Sequence, residues 1–312
     1  MGVGGKMGSL KGRDLVSIND FTDAEVQNVL ETAVEMEGII GKPSNLCEGK
    51  VLATLFFEPS TRTQFSFQTA MLRLGGGAIG FSDISGTSVS KGETLQDTIR
   101  IIESYADIIA MRHSQPNSLS LAAQYSSKPV ISGGEGKGEH PTQTLLDLYT
   151  IKKELGRLDV HIGFYGDLKY GRTVHSLIMG GSRFGANFTC IAPHSLQMPG
   201  EYVKKAEAKG SKVEFCEDVN QVIGNLDVLY VTRLQKERLS PEDDYQKLKS
   251  LYHVDKTLLS KMKPKSAVMH PLPRVGEIEE DIDLDPRSAY FRQAANGVPV
   301  RMAVIASLLG AK

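Results

Sequence analysis

The sequence predicts an α/β protein built as two doubly wound parallel-sheet domains, and three observations carry that prediction. Six short apolar runs each give way to polar residues, with Phe57, Met111, Ser132, Gly166, Val231 and His270 marking the ends. Runs buried on both faces, with polar residues gathered at their carboxyl ends, are the pattern of parallel sheets that bind ligands along that edge. The length, 312 residues, suits two domains of ordinary size better than one.

Composition narrows the class. Hydrophobic residues make up 40% and charged residues 23%, which describes a soluble globular protein. A net charge of −1 argues against nucleic acid as a partner, while leaving room for local sites that hold small anions. Cys47, Cys190 and Cys216 lack metal-ligand or redox-pair spacing, so they read as reduced packing residues in a cytoplasmic protein. No apolar run reaches spanning length, so no membrane is expected. The opening Met1 to Gly8 lacks the apolar core of a secretion signal, and Lys6 stands where a myristoylation site needs Ser or Thr.

Taken in order, Thr22 followed by Glu25 reads as a capping box. It opens a helix expected to reach about Gly41, with Val26, Val29, Leu30, Ala33, Val34 and Met36 on one stripe. The central stretch is Val51 to Leu74. Val51–Phe57 is a buried strand, Glu58-Pro59 stops it, and Ser60-Thr61-Arg62-Thr63 stands where a helix begins, with Phe65, Phe67, Met71 and Leu72 recurring behind it. The first amides of a helix have no intrachain partners, and hydroxyls with a forked guanidinium add donors matched to phosphate oxygens. An ordinary N-capped helix is the plain alternative; three hydroxyls and an Arg in four residues favour the anion pocket.

Gly75–Gly77 is a breaker, and Ser82–Glu93 is small, polar and aperiodic, a loop by composition. Thr94–Tyr105 reads as a helix and Asp107–Met111 as a strand ending in Arg112 and His113, of which Arg112 stands at the ligand edge and His113 reads as structural. Lys128–Ser132 is a further strand. After a glycine-rich loop, His140 and Gln143 share one face at the start of a helix over Thr142–Leu155, with Pro141 at its first position. Val160–Gly166 is a strand, and a helix is expected from Asp167. Gly166-x-x-x-x-Gly171-Arg172-Thr173 is one substitution from a phosphate-binding P-loop, but Arg172 replaces the Lys that reaches the phosphates, which counts against a nucleotide hydrolase. Phe184–Ile191 and Lys212–Phe215 are strands around a helix over Tyr202–Lys209. Asp227–Val231 ends in Thr232, Arg233 and Gln235, and Ala267–His270 ends in Pro271-Leu272-Pro273. A last helix is expected from Gly297.

These motifs, in this order, are where a resemblance becomes specific. Phe56-Phe57-Glu58-Pro59-Ser60-Thr61-Arg62-Thr63 resembles the carbamoyl-phosphate signature of the aspartate and ornithine carbamoyltransferases. His140-Pro-Thr-Gln143, Gly166–Ser176 and His270-Pro-Leu-Pro273 are similar to the forms found in the aspartate branch, and the Ser-Met-Gly loop of ornithine enzymes has no counterpart. The resemblance spans nearly the whole chain. It implies a carbamoyl-phosphate domain of residues 1–143 plus 292–312, an aspartate domain of residues 144–291, and an active site in the cleft between them.

It also implies roles. Thr63, Arg112 and His140 would be catalytic, donating to the carbamoyl oxygen. Ser60, Thr61, Arg62, Gln143, Leu272 and Pro273 would complete the carbamoyl-phosphate site. Arg172, Arg233 and Gln235, with Lys91, would orient aspartate. Lys91, with Thr87 or Ser88, would enter the active site of a neighbouring subunit of a homotrimer. No metal or redox cofactor is implied, and separate regulatory chains are an admissible further partner. A carbamoyltransferase acting on another amino acid, or a relative kept only for binding, are the alternatives. Departures from the family pattern fall at Gln64 and Gln68, expected to hydrogen-bond each other, at Glu135 and Glu139, at Gly180-Gly181, expected to mark a close backbone contact, and at Gly276.

Overall fold

A computed structural model describes residues 9–136, 138–234 and 252–312. Two compact units emerge, Met1–Leu145 with Gly297–Lys312 and Leu146–Asn296.

In the first unit, β1 (Val51–Phe56), β2 (Gly77–Phe81), β3 (Ile108–His113) and β4 (Val130–Glu135) form a parallel sheet in the order β2-β1-β3-β4. Helices α1 (Asp23–Ile39), α2 (Thr61–Arg73), α3 (Leu95–Ile102) and α4 (Ser118–Tyr125) belong to it. The capping box at Thr22 and Glu25 forms as expected, each side chain meeting the other's backbone N–H. Ala53, Leu55, Ile109 and Met111 pack on one sheet face with Ile99, Leu119 and Ala122 from α3 and α4. Burying each large apolar side chain contributes about 1.5–3 kcal/mol. The order puts β2 and β3 on opposite sides of β1, so the chain changes direction beside the carboxyl ends of β1 and β3, where open α/β sheets take their ligands.

The strand β2 is not apparent in the sequence. Its residues are only partly buried and include two glycines, so no apolar run marks it. Gly80 lies at φ +148 against the Thr54 backbone and hydroxyl, where a side chain would collide.

In the second unit, β5 (His161–Tyr165), β6 (Asn187–Ile191), β7 (Val213–Cys216), β8 (Val228–Val231) and β9 (Ala267–Met269) form a parallel sheet ordered β7-β6-β5-β8-β9. The change of direction here lies between β5 and β8. Helices α6 (Arg172–Ser182) and α7 (Gly200–Glu207) belong to this unit, while α5 (Pro141–Leu155) and the C-terminal helix (Tyr290–Leu309) each contain a boundary between the units.

Three expectations change. The helix expected from Asp167 begins at Arg172, because Asp167 Oδ1 accepts the Tyr170 N–H at 3.0 Å and closes a turn first. The last helix begins at Tyr290 and runs through Pro299; its opening turn is secured by Gln293, whose N–H bonds Ala289 O at 2.7 Å and whose amide reaches Asp147. Gly181 is required by side chains and not by backbone, since a Cβ there would lie 3.2 Å from the Phe188 ring and 3.4 Å from Ala186 Cβ. Among the described residues no helix is long and apolar enough to cross a membrane.

Burial pushes the Cys47 thiol up to about 11 and the Cys190 thiol up to about 12, while Cys216 is half-exposed on the edge strand β7. Since the thiolate is the reactive form, a disulfide reagent at about pH 8 should titrate Cys216 alone in the native protein, with Cys47 and Cys190 appearing only after denaturation.

Candidate active site

The first unit gathers its candidate residues where β1 and β3 end. Parallel pairing sets Phe56 opposite Arg112, and the Phe57 N–H continues the ladder to Arg112 O at 2.9 Å. Arg112 is 8% exposed. Its Nη2 donates to Glu58 Oε1 at 2.7 Å and its Nη1 lies 3.4 Å from Gly133 O, while Nε is buried with no partner among the described residues. Gly133 lets β4 approach, since a Cβ there would lie 3.2 Å from the Phe56 ring and 3.3 Å from Met111 O.

Ser60 caps α2, and its hydroxyl meets Thr63 Oγ1 at 3.1 Å, so neither hydroxyl binds an α2 amide as a side-chain cap would. The opening amides of α2 are thus left without a side-chain cap, a place suited to an anion. Burial, then the neighbouring charge of Arg112, lowers the pKa of Arg62. Two cations, Arg62 in the first turn of a helix and Arg112 at the end of the adjoining strand, suit a polyanion.

His140 is 4% exposed just before α5, with its carbonyl accepting the Gln143 N–H at 2.9 Å and the Thr144 N–H at 3.1 Å. The departures in the preceding loop have local roles. Glu135 Oε1 accepts the Leu119 N–H of α4 at 2.7 Å, and Glu139 accepts from Ser17 Oγ and the Ile18 N–H. Arg301, from the C-terminal helix, lies over Phe67 of α2, with 4.8 Å from guanidinium to ring centre, and donates to Thr142 Oγ1 of α5 at 3.3 Å. It therefore braces α2, which carries Thr63, against α5, which His140 immediately precedes. Nothing in the apolar sequence around it announces that task.

The glutamines do not pair with each other. Gln64 Nε2 donates to Phe81 O at 3.1 Å and lies 3.4 Å from Thr54 Oγ1, which also accepts from Gln68 Nε2 at 3.0 Å. The close approach of β2 at Gly80 brings these acceptors over α2, a tertiary circumstance invisible to helical spacing. The loop after β2 is exposed at Ser88 and Lys91, which lie in a 3-10 turn, whereas Thr87 is half-buried and donates its hydroxyl to Ile84 O at 2.7 Å.

In the second unit, Gly166 at φ +125 presses on Thr232, where no side chain would fit. The Leu168 N–H bonds Leu196 O at 3.0 Å, and Leu168 O lies 2.7 Å from His175 Nε2. Burial lowers the pKa of His175, which also stacks on Tyr202. The turn so fixed delivers half-buried Arg172 as the first residue of α6. Half-buried Arg233 follows β8, but Gln235 lies outside the described residues.

Beyond β9, Leu272 sits at φ 57 and the Leu272–Pro273 peptide is cis. The left-handed region costs a non-glycine residue about 1–2 kcal/mol. The Leu272 N–H donates to His270 Nδ1 at 2.7 Å, and His270 Nε2 meets Glu277 Oε1 at 2.7 Å. Gly276 lies at φ +94, a conformation that suits glycine. Sequence reading missed Glu277, Gln293 and the fully buried Asp147, because polar residues scattered over distant segments carry no local signal. Among the described residues no group of three or more His, Cys, Asp or Glu could hold a metal ion.

Comparison with known proteins follows this geometry. Residues 13–153 match a family model described as the aspartate/ornithine carbamoyltransferase carbamoyl-P binding domain, and residues 158–308 match the corresponding Asp/Orn binding domain. The chain is 48% identical over 303 residues to the aspartate carbamoyltransferase catalytic subunit of Thermococcus onnurineus, covering 96% of this chain and 98% of that one. With the catalytic subunit of M. jannaschii aspartate transcarbamoylase it shares 45% identity at a TM-score of 0.90, covering 96% and 98% of the two chains. The Trypanosoma cruzi aspartate transcarbamoylase, solved in complex with carbamoyl phosphate and aspartate, shares 40% at a TM-score of 0.90, again with 96% and 98% covered.

Two outcomes test this geometry. Thr54→Val removes the acceptor shared by Gln64 and Gln68 and should cost about 1–3 kcal/mol in chemical denaturation. Inorganic phosphate should raise the melting temperature of the wild-type chain, by about 2.7 kcal/mol of stabilisation at a hundredfold excess over Kd. The same titration should leave Arg62→Ala nearly unmoved.

Proposed function

Because the chain belongs to the aspartate/ornithine carbamoyltransferase family, we propose that it transfers the carbamoyl group of carbamoyl phosphate to the amine of L-aspartate. The products are N-carbamoyl-L-aspartate and phosphate, and the enzyme is an aspartate carbamoyltransferase. The observation that carries this reading is the placement of Arg62 in the first turn of α2 and of Arg112 opposite Phe56 at the end of β1, two cations for a compact phosphate within the segment matched to a carbamoyl-P binding domain.

The mechanism assigned to these residues is as follows. The aspartate amine attacks the carbamoyl carbon, a C–N bond forms, and negative charge grows on the carbamoyl oxygen. Thr63, Arg112 and His140 donate to that oxygen, so the charge develops among donors already in place. The C–O bond to phosphate then breaks, and the departing phosphate takes the amine proton. Ser60, Thr61 and Arg62 hold the phosphate, Gln143 and the carbonyls of Leu272 and Pro273 hold the carbamoyl group, and Arg172, Arg233 and Gln235 grip the aspartate carboxylates. Much of the acceleration comes from holding two mutually repelling anions in reacting geometry.

Lys91 enters the site of a neighbouring subunit in a homotrimer and reaches both substrates. Ser88 is the loop hydroxyl that accompanies it, since it is exposed while Thr87 spends its hydroxyl on Ile84 O. The pathway is pyrimidine biosynthesis and the location is cytoplasmic.

Carbamoyl transfer measured with aspartate and ornithine in parallel tests the reading. Product with aspartate alone is expected; product with ornithine would overturn the roles given to Arg172 and Arg233. Arg62→Ala should lower kcat/KM for carbamoyl phosphate by about 10²–10³-fold, and a near-normal value would sink the phosphate assignment.

A further inference from the structure

The turn after β9 is built on two buried ionisable side chains that the reaction itself does not use. His270 is 1% exposed and Glu277 is 6% exposed. His270 Nδ1 accepts the Leu272 N–H at 2.7 Å, so that nitrogen carries no proton. In a neutral imidazole the proton then resides on Nε2, which faces Glu277 Oε1 at 2.7 Å as donor to acceptor. Glu277 Oε2 accepts the Val275 N–H at 2.7 Å, so one carboxylate ties both arms of the turn.

The pair is anchored from behind. The His270 N–H donates to Gln293 Oε1 at 2.8 Å, Gln293 Nε2 donates to Asp147 Oδ1 at 2.7 Å, and the Tyr230 hydroxyl donates to Asp147 Oδ2 at 2.9 Å. Strand β8, helix α5 and the C-terminal helix therefore set where the imidazole stands. The restrained residue, Leu272, is the one non-glycine besides Asn117 at positive φ among the described residues. Residues held in such conformations need surroundings that over-determine them, and they gather at functional sites.

We infer that His270 and Glu277 form a positioning pair for donor-substrate recognition: Glu277 selects the Nε2–H imidazole tautomer, and Nδ1 then holds the Leu272 N–H so that the Leu272 and Pro273 carbonyls face the carbamoyl amino group. The inference rests on the proposed carbamoyl-phosphate site and adds residues that do not touch the substrate.

Three variants separate positioning from mere structural support. Glu277→Gln keeps shape but sets an N–H against either the Val275 N–H or the imidazole Nε2–H. Relief by the other tautomer would oppose Nδ1–H to the Leu272 N–H. His270→Asn retains an acceptor near the place of Nδ1, whereas His270→Gln does not. Glu277→Gln and His270→Gln should raise KM for carbamoyl phosphate at least about tenfold with little change in KM for aspartate, and His270→Asn should recover most of the loss. Equal impairment by both His270 variants, or unchanged kinetics in all three, overturns the inference. Nitrogen-15 spectra of the wild-type histidines decide it even where a variant fails to fold. An Nε2–H tautomer at His270 supports the pair, and an Nδ1–H tautomer or an imidazolium overturns it. A wild-type chain inactive with carbamoyl phosphate and aspartate would sink the proposed function and this inference together, whereas silent variants of an active enzyme sink the inference alone.

Discussion

The parallel ladder between β1 and β3 is the constraint on which the first unit depends. It sets Phe56 opposite Arg112 and carries on through the Phe57 N–H, so the strand end and the guanidinium share one edge. Alpha-helix α2 starts five residues after β1 ends, and Arg62 is its second residue. Backbone geometry therefore puts both charges at one end of the sheet, and burial, then the charge of Arg112, lowers the pKa of Arg62. Glu58 offsets part of that charge through its ion pair with Arg112.

Close approach is the second recurring device. Gly80 against Thr54, Gly133 against Phe56 and Gly166 against Thr232 each mark a place where a side chain would push neighbouring segments apart. At Gly80 the approach supplies acceptors that satisfy Gln64 and Gln68. At Gly166 it seats the turn that begins α6 with Arg172. The cost of glycine in the unfolded chain is thereby spent where a candidate ligand residue must be placed.

The second unit relies on buried polar anchoring instead of confronted charge. Asp147 is fully buried, yet Tyr230 and Gln293 satisfy both of its oxygens. Gln293 passes the restraint on to His270. Such a network is stabilising only when complete, since a single orphaned group in a low-dielectric interior costs more than the bond it lost. Completeness gives it a directional stiffness that apolar packing lacks. That stiffness suits the segments ending in Arg233 and Leu272, where the position of a donor or a carbonyl decides what can bind.

Much of the fold and site was legible in the sequence. Apolar runs that stop on polar residues disclosed the strands and where they end, Ser60 to Thr63 disclosed the start of α2, and Thr22 with Glu25 disclosed a helix entry. These features depend on neighbours within a few residues, and local chemistry is what a sequence states directly. It could not disclose β2, whose partly buried glycine-containing strand exists because β1 pairs with it, nor the start of the last helix at Tyr290, which Gln293 secures from residues far along the chain. It suggested that Gln64 and Gln68 would meet each other, whereas Thr54 lies between them across the sheet. Residue types and their order thus determined the class of fold and the chemistry on offer. Tertiary structure alone decided which polar groups meet, because a hydrogen bond depends on distance and direction in space, and segments far apart in sequence supply both.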